Sequence, residues 1–165
     1  MSTDPAAPTA ALRAAMEARD ANAALATFAP DARVNSPLTD RLVFVGHEQL
    51  RLLLPVILDV FRDIRYTEEA AAGHTGFLVW EASIGGRPIE AVDQIRFGAD
   101  GLIEEMTVFF RPLPVAAAAL RAIGAGLGRN RSPGYGTMVG ALAAPLGAMA
   151  GVGDRVGVGL IRGAL

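Results

Sequence analysis

The sequence predicts an α+β fold in which a strongly curved antiparallel sheet wraps around about three N-terminal helices. Apolar residues recur at helical spacing over residues 9–29 and 47–61, and the apolar period changes to two after Arg62. Gly85-Gly86 and Asp100-Gly101 are hairpin signals between the later apolar runs. Helices gathered early and strands gathered late are typical of an α+β layer fold.

The first part of the chain carries the helical pattern. Leu12, Ala15 and Met16 lie on one face of a helix predicted over residues 9–20, and a second short helix is predicted over 21–29. Pro30-Asp31 is expected to end it. Residues 47–61 form the most apolar predicted helix, in which Pro55 should cause a kink or a displaced start.

The strand predictions begin with a short pair and continue as a meander. Asparagine, serine and proline end the first run, and the Thr39-Asp40 turn precedes its partner. Arg111-Pro112-Leu113-Pro114 ends the pattern after the last run. The predicted strands are 32–37, 42–45, 64–69, 77–84, 89–97 and 102–110.

The chain is predicted to divide into a disordered N-terminus over 1–8, one domain over 9–114, and a C-terminal part over 115–165. The C-terminal part should hold a helix over 115–127, a linker over 128–136, and a flexible, apolar, Gly/Ala-rich tail. A membrane-spanning helix is disfavoured because the apolar stretch contains Pro145 and many glycines. The tail is expected to pack over the mouth of a pocket or against a partner subunit, with contact to a membrane surface as the less favoured alternative.

Composition excludes several functions. The chain has 165 residues, 52% hydrophobic and 19% charged, with a net charge of −2 and without a basic stripe, so nucleic acid is not expected as a partner. Cysteine and lysine are both absent, which excludes thiol chemistry, Schiff-base lysines and phosphate-loop lysines. The two histidines lack metal-ligand spacing, so neither a metal nor a cofactor is expected. The N-terminus lacks the pattern of a signal peptide, which predicts a cytoplasmic location.

Asp93 is the residue that most clearly indicates a site. It lies in the run 89–97 at the parity otherwise held by Ile89, Ala91, Ile95 and Phe97, so its carboxyl should point toward the apolar interior. Such a carboxyl is hydrogen-bonded, is protonated, or lines a cavity. Both a structural role and a ligand role remain open for it at this point.

Three stretches of the sequence resemble the nuclear transport factor 2-like superfamily. They are Phe28-Ala29-Pro30-Asp31-Ala32-Arg33-Val34-Asn35-Ser36-Pro37, the helix that starts at Gly46, and Val92-Asp93-Gln94-Ile95-Arg96-Phe97 with Asp100-Gly101-Leu102-Ile103. SnoaL-like polyketide cyclases and ketosteroid isomerases are the most similar enzyme branches. The resemblance covers roughly residues 9–113. It implies a cone-shaped α+β barrel around a mostly apolar cavity, and a homodimer.

The resemblance also assigns roles residue by residue. The neutral, hydrogen-bond-donating acid of ketosteroid isomerases falls on Asp93, their general base on Ser36, and their oxyanion-binding tyrosine on Leu12. Serine is not a base near neutral pH and leucine donates no hydrogen bond, so steroid-type isomerisation by that mechanism is not expected. An acid of the limonene epoxide hydrolase branch falls on Val108, which also cannot act as one.

These observations predict a SnoaL-like protein that binds a small hydrophobic or polyketide-like molecule, as a cofactor-free isomerase, cyclase or hydratase in which Asp93 acts as acid or base. The alternative is a non-catalytic ligand-binding or dimerisation module whose apolar tail contacts a partner or a membrane surface. The candidate ligand-binding residues are Asn35, Ser36, Trp80, Ile95, Met106, Val108 and Phe110.

Overall fold

The computed structural model describes residues 6–37, 39–131, 149–154, 156 and 159–162. It divides into two units, Met1–Phe110 and Arg111–Leu165. The elements in chain order are α1 (Ala6–Glu17), α2 (Ala21–Leu25), β1 (Phe28–Asn35), β2 (Val43–Val45), α3 (Gly46–Val60), β3 (Arg62–Ala72), β4 (Thr75–Ile84), β5 (Arg87–Phe97), β6 (Ile103–Arg111) and α4 (Leu113–Arg131). This order of helices and strands confirms the predicted α+β fold.

Two predicted boundaries near the N-terminus are wrong. Helix α1 begins at Ala6, so residues 6–8 are helical, whereas residues 1–5 lie outside the described part of the chain. Strand β1 begins at Phe28 and includes Pro30 and Asp31, which were expected to separate α2 from the strand. The register of β1 against β6 shifts between Phe28 and Arg33. Such an irregularity accommodates a proline, because a residue without an N–H is tolerated where ladder hydrogen bonds are interrupted.

Helix α3 tolerates Pro55 within its length. The helix begins at Gly46, so the proline does not displace its start. Pro55 removes one donor and lies on the exposed side of the helix. Gly46 has a φ of 74°, and a Cβ there would lie 3.1 Å from the Pro30 carbonyl oxygen, so glycine suits this position for two reasons.

The sheet has six strands in the order β2-β1-β6-β5-β4-β3. Its curvature around the helices agrees with the prediction, but its pairing is mixed instead of wholly antiparallel. Strand β1 pairs with β6 in parallel, at Val34 with Met106 and Asn35 with Thr107. A parallel pair needs a long connection, which the chain provides through α3 and the meander between the two strands. Sequence periodicity does not reveal which distant strands become neighbours.

The meander fixes the direction of the Asp93 side chain. Gly85 and Gly86 have φ values of 56° and 76°, which confirms the predicted hairpin turn between β4 and β5. In the resulting register Trp80 lies opposite Ala91, and Leu78 lies opposite Asp93. Alternate residues along both strands are buried on the same face, so Asp93 points toward the core as predicted.

Arg19 connects the turn after α1 to the end of α3. Its guanidinium donates hydrogen bonds to the carbonyl oxygens of Leu58 and Phe61, the first through Nη2 and the second through Nη1 at 3.1 Å. Helix C-terminal carbonyls lack intrahelical partners, and an arginine side chain commonly satisfies them. This contact fixes the position of Phe61, a fully buried residue near Trp80.

The second unit contains α4, which continues to Arg131. The linker predicted over 128–136 is therefore wrong for 128–131, where helix continues, and residues 132–148 lie outside the described part of the chain. Glycine weakens a helix by only about 1 kcal/mol, so Gly128 does not suffice to end it. The described residues between 149 and 162 are also helical. No helix of the described residues has the length and apolarity needed to cross a membrane.

Candidate functional site

A cavity of about 80 Å³ lies between the sheet and the helices of the first unit. Apolar atoms form the accessible surface of this cavity, and they cover the polar atoms of the lining residues. The lining residues come from α1, from α3 and its C-terminal end, and from the inner face of the sheet: Leu12, Met16, Phe28, Val34, Leu50, Leu53, Leu54, Ile57, Phe61, Ile64, Tyr66, Trp80, Asp93, Met106, Val108 and Phe110.

Asp93 is the ionisable acid of this wall. The residue is 4% exposed, and its Oδ2 accepts a hydrogen bond of 2.9 Å from the Trp80 indole nitrogen. The pair is diagonal on neighbouring strands, since Trp80 lies opposite Ala91, two residues before Asp93. The carboxyl is therefore held against the indole at the edge of an apolar space.

Burial raises the pKa of Asp93 from 3.8 to about 7, and the hydrogen bond from Trp80 partly opposes this shift. Desolvation disfavours the charged carboxylate, whereas the indole N–H, which only donates, favours it. Near neutral pH both the protonated and the ionised forms are populated. A carboxyl of this kind can donate a proton in one form and accept one in the other.

Three aromatic rings restrict the Trp80 side chain. Phe61 and Phe110 meet it edge to face, with ring centroids at 5.3 and 5.9 Å, and Tyr66 lies at 6.5 Å with tilted planes. Edge-to-face pairs at these distances are favourable arrangements of aromatic quadrupoles. The cluster keeps the indole in the orientation that delivers its N–H to Asp93.

Tyr66 is a second titratable residue of the wall and was not among the residues predicted from the sequence. It is 7% exposed, and its backbone N–H donates to Glu17 Oε1 at 3.0 Å. Burial raises the pKa of Tyr66 well above 10, with further contributions from the charges of Asp93 and Glu17 and an opposing one from Arg13. The phenol therefore stays protonated near neutral pH.

The structure brings four of the predicted ligand-binding residues together with Asp93. Trp80, Met106, Val108 and Phe110 all line the cavity. Ile95 has the same parity as Asp93 and is fully buried, but it packs in the core and does not line the cavity.

Asn35 and Ser36 do not line the cavity. The Asn35 amide donates to Glu105 Oε1 at 3.0 Å and to Thr107 Oγ1 at 2.9 Å, on the sheet face opposite the buried Val34. Ser36 follows the strand, and its backbone N–H donates to the Leu42 carbonyl oxygen. The structure therefore places both predicted ligand contacts at the outer face and end of β1, where they stabilise strand pairing.

The helical half of the wall was not predicted from the sequence. Leu12 and Met16 come from α1, and Leu50, Leu53 and Leu54 come from α3. The apolar stripe of α3 was visible in the sequence, but a stripe does not distinguish a side chain packed in the core from one that lines a cavity. Among the described residues, no group of three histidine, aspartate or glutamate side chains is arranged to hold a metal ion.

The fold and the cavity define a nuclear transport factor 2-like domain. The family model of the SnoaL-like domain matches residues 9–106, and the chain belongs to that family. No curated protein matches the chain.

Solved structures show the same fold. A steroid delta-isomerase from Pseudomonas aeruginosa superimposes with a TM-score of 0.66 and 28% identity, over 80% of this chain and 94% of that one. An uncharacterized protein with a cystatin-like fold from Silicibacter pomeroyi gives a TM-score of 0.68 and 24% identity, over 72% and 84% of the two chains. SalBIII, an epoxide hydrolase/cyclase-like enzyme in pyran ring formation in salinomycin, superimposes with a TM-score of 0.57 and 19% identity. The match covers 65% of this chain and 90% of that one. The last two likenesses concern the fold alone.

Proposed function

We propose that the domain binds a small, uncharged, mostly apolar molecule in the cavity beside Asp93. We further propose that Asp93 orients this molecule or exchanges a proton with it. The observation that supports this most directly is a buried carboxyl, held by Trp80 at 2.9 Å, on the wall of an apolar cavity. Apolar pockets with a few convergent polar groups are the usual form of small-molecule sites.

The reaction class that fits this site is cofactor-independent acid–base chemistry: isomerisation, cyclisation or hydration. With a pKa of about 7, Asp93 supplies a hydrogen-bond donor to a carbonyl or ether oxygen when protonated, and a base when ionised. The dry surroundings strengthen either interaction. A non-catalytic binding protein would use the same carboxyl for orientation alone.

The size of the cavity limits the ligand. At about 80 Å³ it is smaller than the ~150 Å³ cavity that accommodates benzene in an engineered protein core. Met16 and Met106 lie on the wall, and methionine side chains adapt readily because they are unbranched. Small ring compounds should therefore enter after modest side-chain movement, whereas a polyketide-like molecule would require the wall to open further.

The similarity to a steroid delta-isomerase does not extend to a matching set of reactive residues. Leu12, which falls at the position of the oxyanion-binding tyrosine by resemblance, lines the cavity and is 2% exposed. Ser36, which falls at the position of the base, does not line it. The reaction we propose therefore depends on Asp93 without these two companions.

Binding of 2-cyclohexen-1-one, measured by calorimetry and by the fluorescence of Trp80, tests the proposal. Trp80 is the single tryptophan of the chain and lies on the cavity wall, so its emission reports on occupancy. The enone carbonyl should bind the protonated carboxyl, so affinity should fall as the pH rises through about 7. Benzene, which accepts no such hydrogen bond, should bind with little pH dependence.

Two substitutions test the part that the carboxyl plays in binding. Asp93→Asn keeps a donor but does not titrate, so enone binding should become independent of pH. Asp93→Leu removes the donor and should weaken the enone about 5- to 10-fold relative to the wild type at low pH, while benzene binding persists. Asp31→Asn, at an exposed aspartate, is the matched control. Enone affinity that is constant with pH in the wild type would contradict the proposal.

A dimerisation scaffold is the second candidate, and the outer face of the sheet supports it. Phe77 and Phe109 are 38% and 54% exposed on strands whose alternate residues face the cavity. Aromatic residues are enriched at protein interfaces. Phe109→Gln should lower the sedimentation mass of a homodimer, whereas Leu52→Gln, at an exposed leucine of α3, should not. A monomeric wild-type protein would remove this candidate.

A further inference from the structure

The residues that line the cavity beside Asp93 are not equally buried. Four of the sixteen are partly exposed, and the other twelve are buried. The partly exposed ones are Ile57, Ile64, Val108 and Phe110. Wall residues that also reach solvent border the entrance of a cavity, so these four residues mark its mouth.

The mouth lies at one end of the sheet. Its residues come from the last turn of α3, from the start of β3 and from the end of β6. Strands β3 and β5 begin at the same end of the sheet, because Arg62 and Pro88 both lie opposite Ser83. Strand β6 follows β5 through a tight turn and runs back beside it, so β6 ends where β5 begins.

Asp93 lies deeper in the cavity than the mouth. Trp80 is opposite Ala91, and Asp93 comes two residues later along β5, on the side away from the mouth. Two residues of a strand span about 7 Å. Leu78, which lies opposite Asp93, is fully buried. A ligand whose oxygen contacts Asp93 therefore has that oxygen inside and its opposite end toward the mouth.

Phe110 is the aromatic residue of the mouth. Its ring centroid is 5.5 Å from that of Phe61, which connects α3 to β3, and 5.9 Å from that of Trp80. The Phe110 ring therefore contacts both the helical side of the mouth and the indole that holds Asp93. Unlike Phe61 and Trp80 it is partly exposed, so fewer packed neighbours oppose a rotation of its side chain.

We propose that Phe110 determines which ligands the cavity accepts, because its ring limits the size of the group at the end of the ligand opposite the oxygen. This inference rests on the proposed function, since it takes Asp93 as the partner of the ligand oxygen. The ligand class that fits is a small cyclic ketone or ether whose apolar substituents lie across the ring from the oxygen. Substituents beside the oxygen would meet the buried, close-packed wall around Asp93.

Two isomeric enones test this assignment, with 2-cyclohexen-1-one as the reference ligand. In 4,4-dimethyl-2-cyclohexen-1-one the methyl groups lie across the ring from the carbonyl, and in 6,6-dimethyl-2-cyclohexen-1-one they lie beside it. All three ligands keep the carbonyl, so a change in stability or in Asp93 affects them alike. The affinity of each isomer relative to the reference, measured by calorimetry, therefore reports on the space around its methyl groups.

Phe110→Ala should raise the relative affinity of the 4,4-dimethyl isomer about 10-fold, the lower end of what one methylene is worth in an apolar pocket. The relative affinity of the 6,6-dimethyl isomer should stay unchanged, because its methyl groups point away from the mouth. Phe110→Leu keeps an apolar side chain and should give a smaller rise in the same direction. It serves as the test if urea unfolding shows that the alanine variant is not folded.

Phe109→Ala is the matched control. It removes the neighbouring phenylalanine ring, which is 54% exposed and does not line the cavity, so it should leave both relative affinities unchanged.

The outcomes separate this inference from the proposed function. If 2-cyclohexen-1-one does not bind, both are overturned. If it binds with the expected pH dependence, three results overturn the role of Phe110 alone: an unchanged relative affinity of the 4,4-dimethyl isomer in Phe110→Ala, an equal rise for both isomers, or the same rise in Phe109→Ala.

Discussion

The Asp93 carboxyl should make the stability of this domain depend on pH in a way that Asp93→Asn abolishes. In the folded protein burial raises the pKa of Asp93 from 3.8 to about 7. The folded state therefore binds a proton that the unfolded state releases between these two values. The contribution of Asp93 to stability is complete below pH 3.8, is lost as the pH rises to about 7, and stays constant above that.

The magnitude follows from the size of the shift. At about 1.4 kcal/mol per pKa unit, the wild-type protein should lose up to about 4 kcal/mol of unfolding free energy from this carboxyl. Between pH 5 and pH 8 the loss is about 2 to 3 kcal/mol. The asparagine of the Asp93→Asn variant can still accept the hydrogen bond from Trp80, but its amide N–H groups meet an apolar wall, a constant penalty of about 1 to 3 kcal/mol.

Urea unfolding at a series of pH values, followed by circular dichroism and Trp80 fluorescence, measures this difference. The wild-type free energy of unfolding should fall relative to that of Asp93→Asn as the pH rises, because all other groups titrate alike in the two proteins. Asp31→Asn, at an exposed aspartate, should keep the wild-type slope. If the difference between the wild type and Asp93→Asn is constant with pH, the carboxyl is ionised throughout and the cause we assign to it is wrong.

Three further substitutions test the surroundings of the cavity. Trp80→Phe removes the donor that favours the carboxylate, so the pKa of Asp93 should rise further, as read from its side-chain carbon resonance in an NMR titration; an unchanged midpoint would contradict the role of the indole. Leu54→Ala, at a buried wall residue, should lower the unfolding free energy by about 2 to 5 kcal/mol and increase the affinity for benzene; a loss of affinity would show that the cavity does not hold this ligand. Asn35→Ala removes two hydrogen bonds and should destabilise the protein by about 1 to 2 kcal/mol while leaving enone affinity unchanged; weaker enone binding would restore Asn35 as a ligand residue.

Local periodicity predicted most of the secondary structure. The change of apolar period after Arg62 located the meander, and Gly85-Gly86 located a turn that requires positive φ angles. The prediction missed Pro30 inside β1 because its tolerance there depends on an irregular pairing with β6, a strand about seventy residues away along the chain. Long-range pairing is a property of the whole fold, and no local pattern records it.

The candidate site was predictable to the extent that strand parity determines it. Parity placed Asp93, Trp80 and Met106 on the inner face, where the structure has them. It did not single out Tyr66. Ile64 and Tyr66 share a parity and both line the cavity, but Glu68 continues that parity in the sequence, and only the register shift between Tyr66 and Glu68 removes the glutamate from the apolar face. Family resemblance placed Asn35 among the ligand contacts, but a polar residue at the end of a strand serves hydrogen bonding between strands equally well, and the Glu105 and Thr107 side chains lie within its reach.

A residue that contacts the ligand and a residue that stabilises the fold can be distinguished by substitution. The two substitutions should have opposite effects on stability and on ligand binding. Asp93→Leu removes a carboxyl that opposes folding above neutral pH. The gain of up to about 4 kcal/mol exceeds the about 1 to 3 kcal/mol cost of leaving the Trp80 N–H without its acceptor, so stability at high pH should rise while the enone loses its donor. Asn35→Ala should do the reverse, lowering stability and sparing binding. Measuring unfolding free energy and enone affinity for both variants separates the two classes of residue. If Asp93→Leu lowers stability at high pH and spares binding, the carboxyl is a structural group, and the scaffold becomes the better account of this domain.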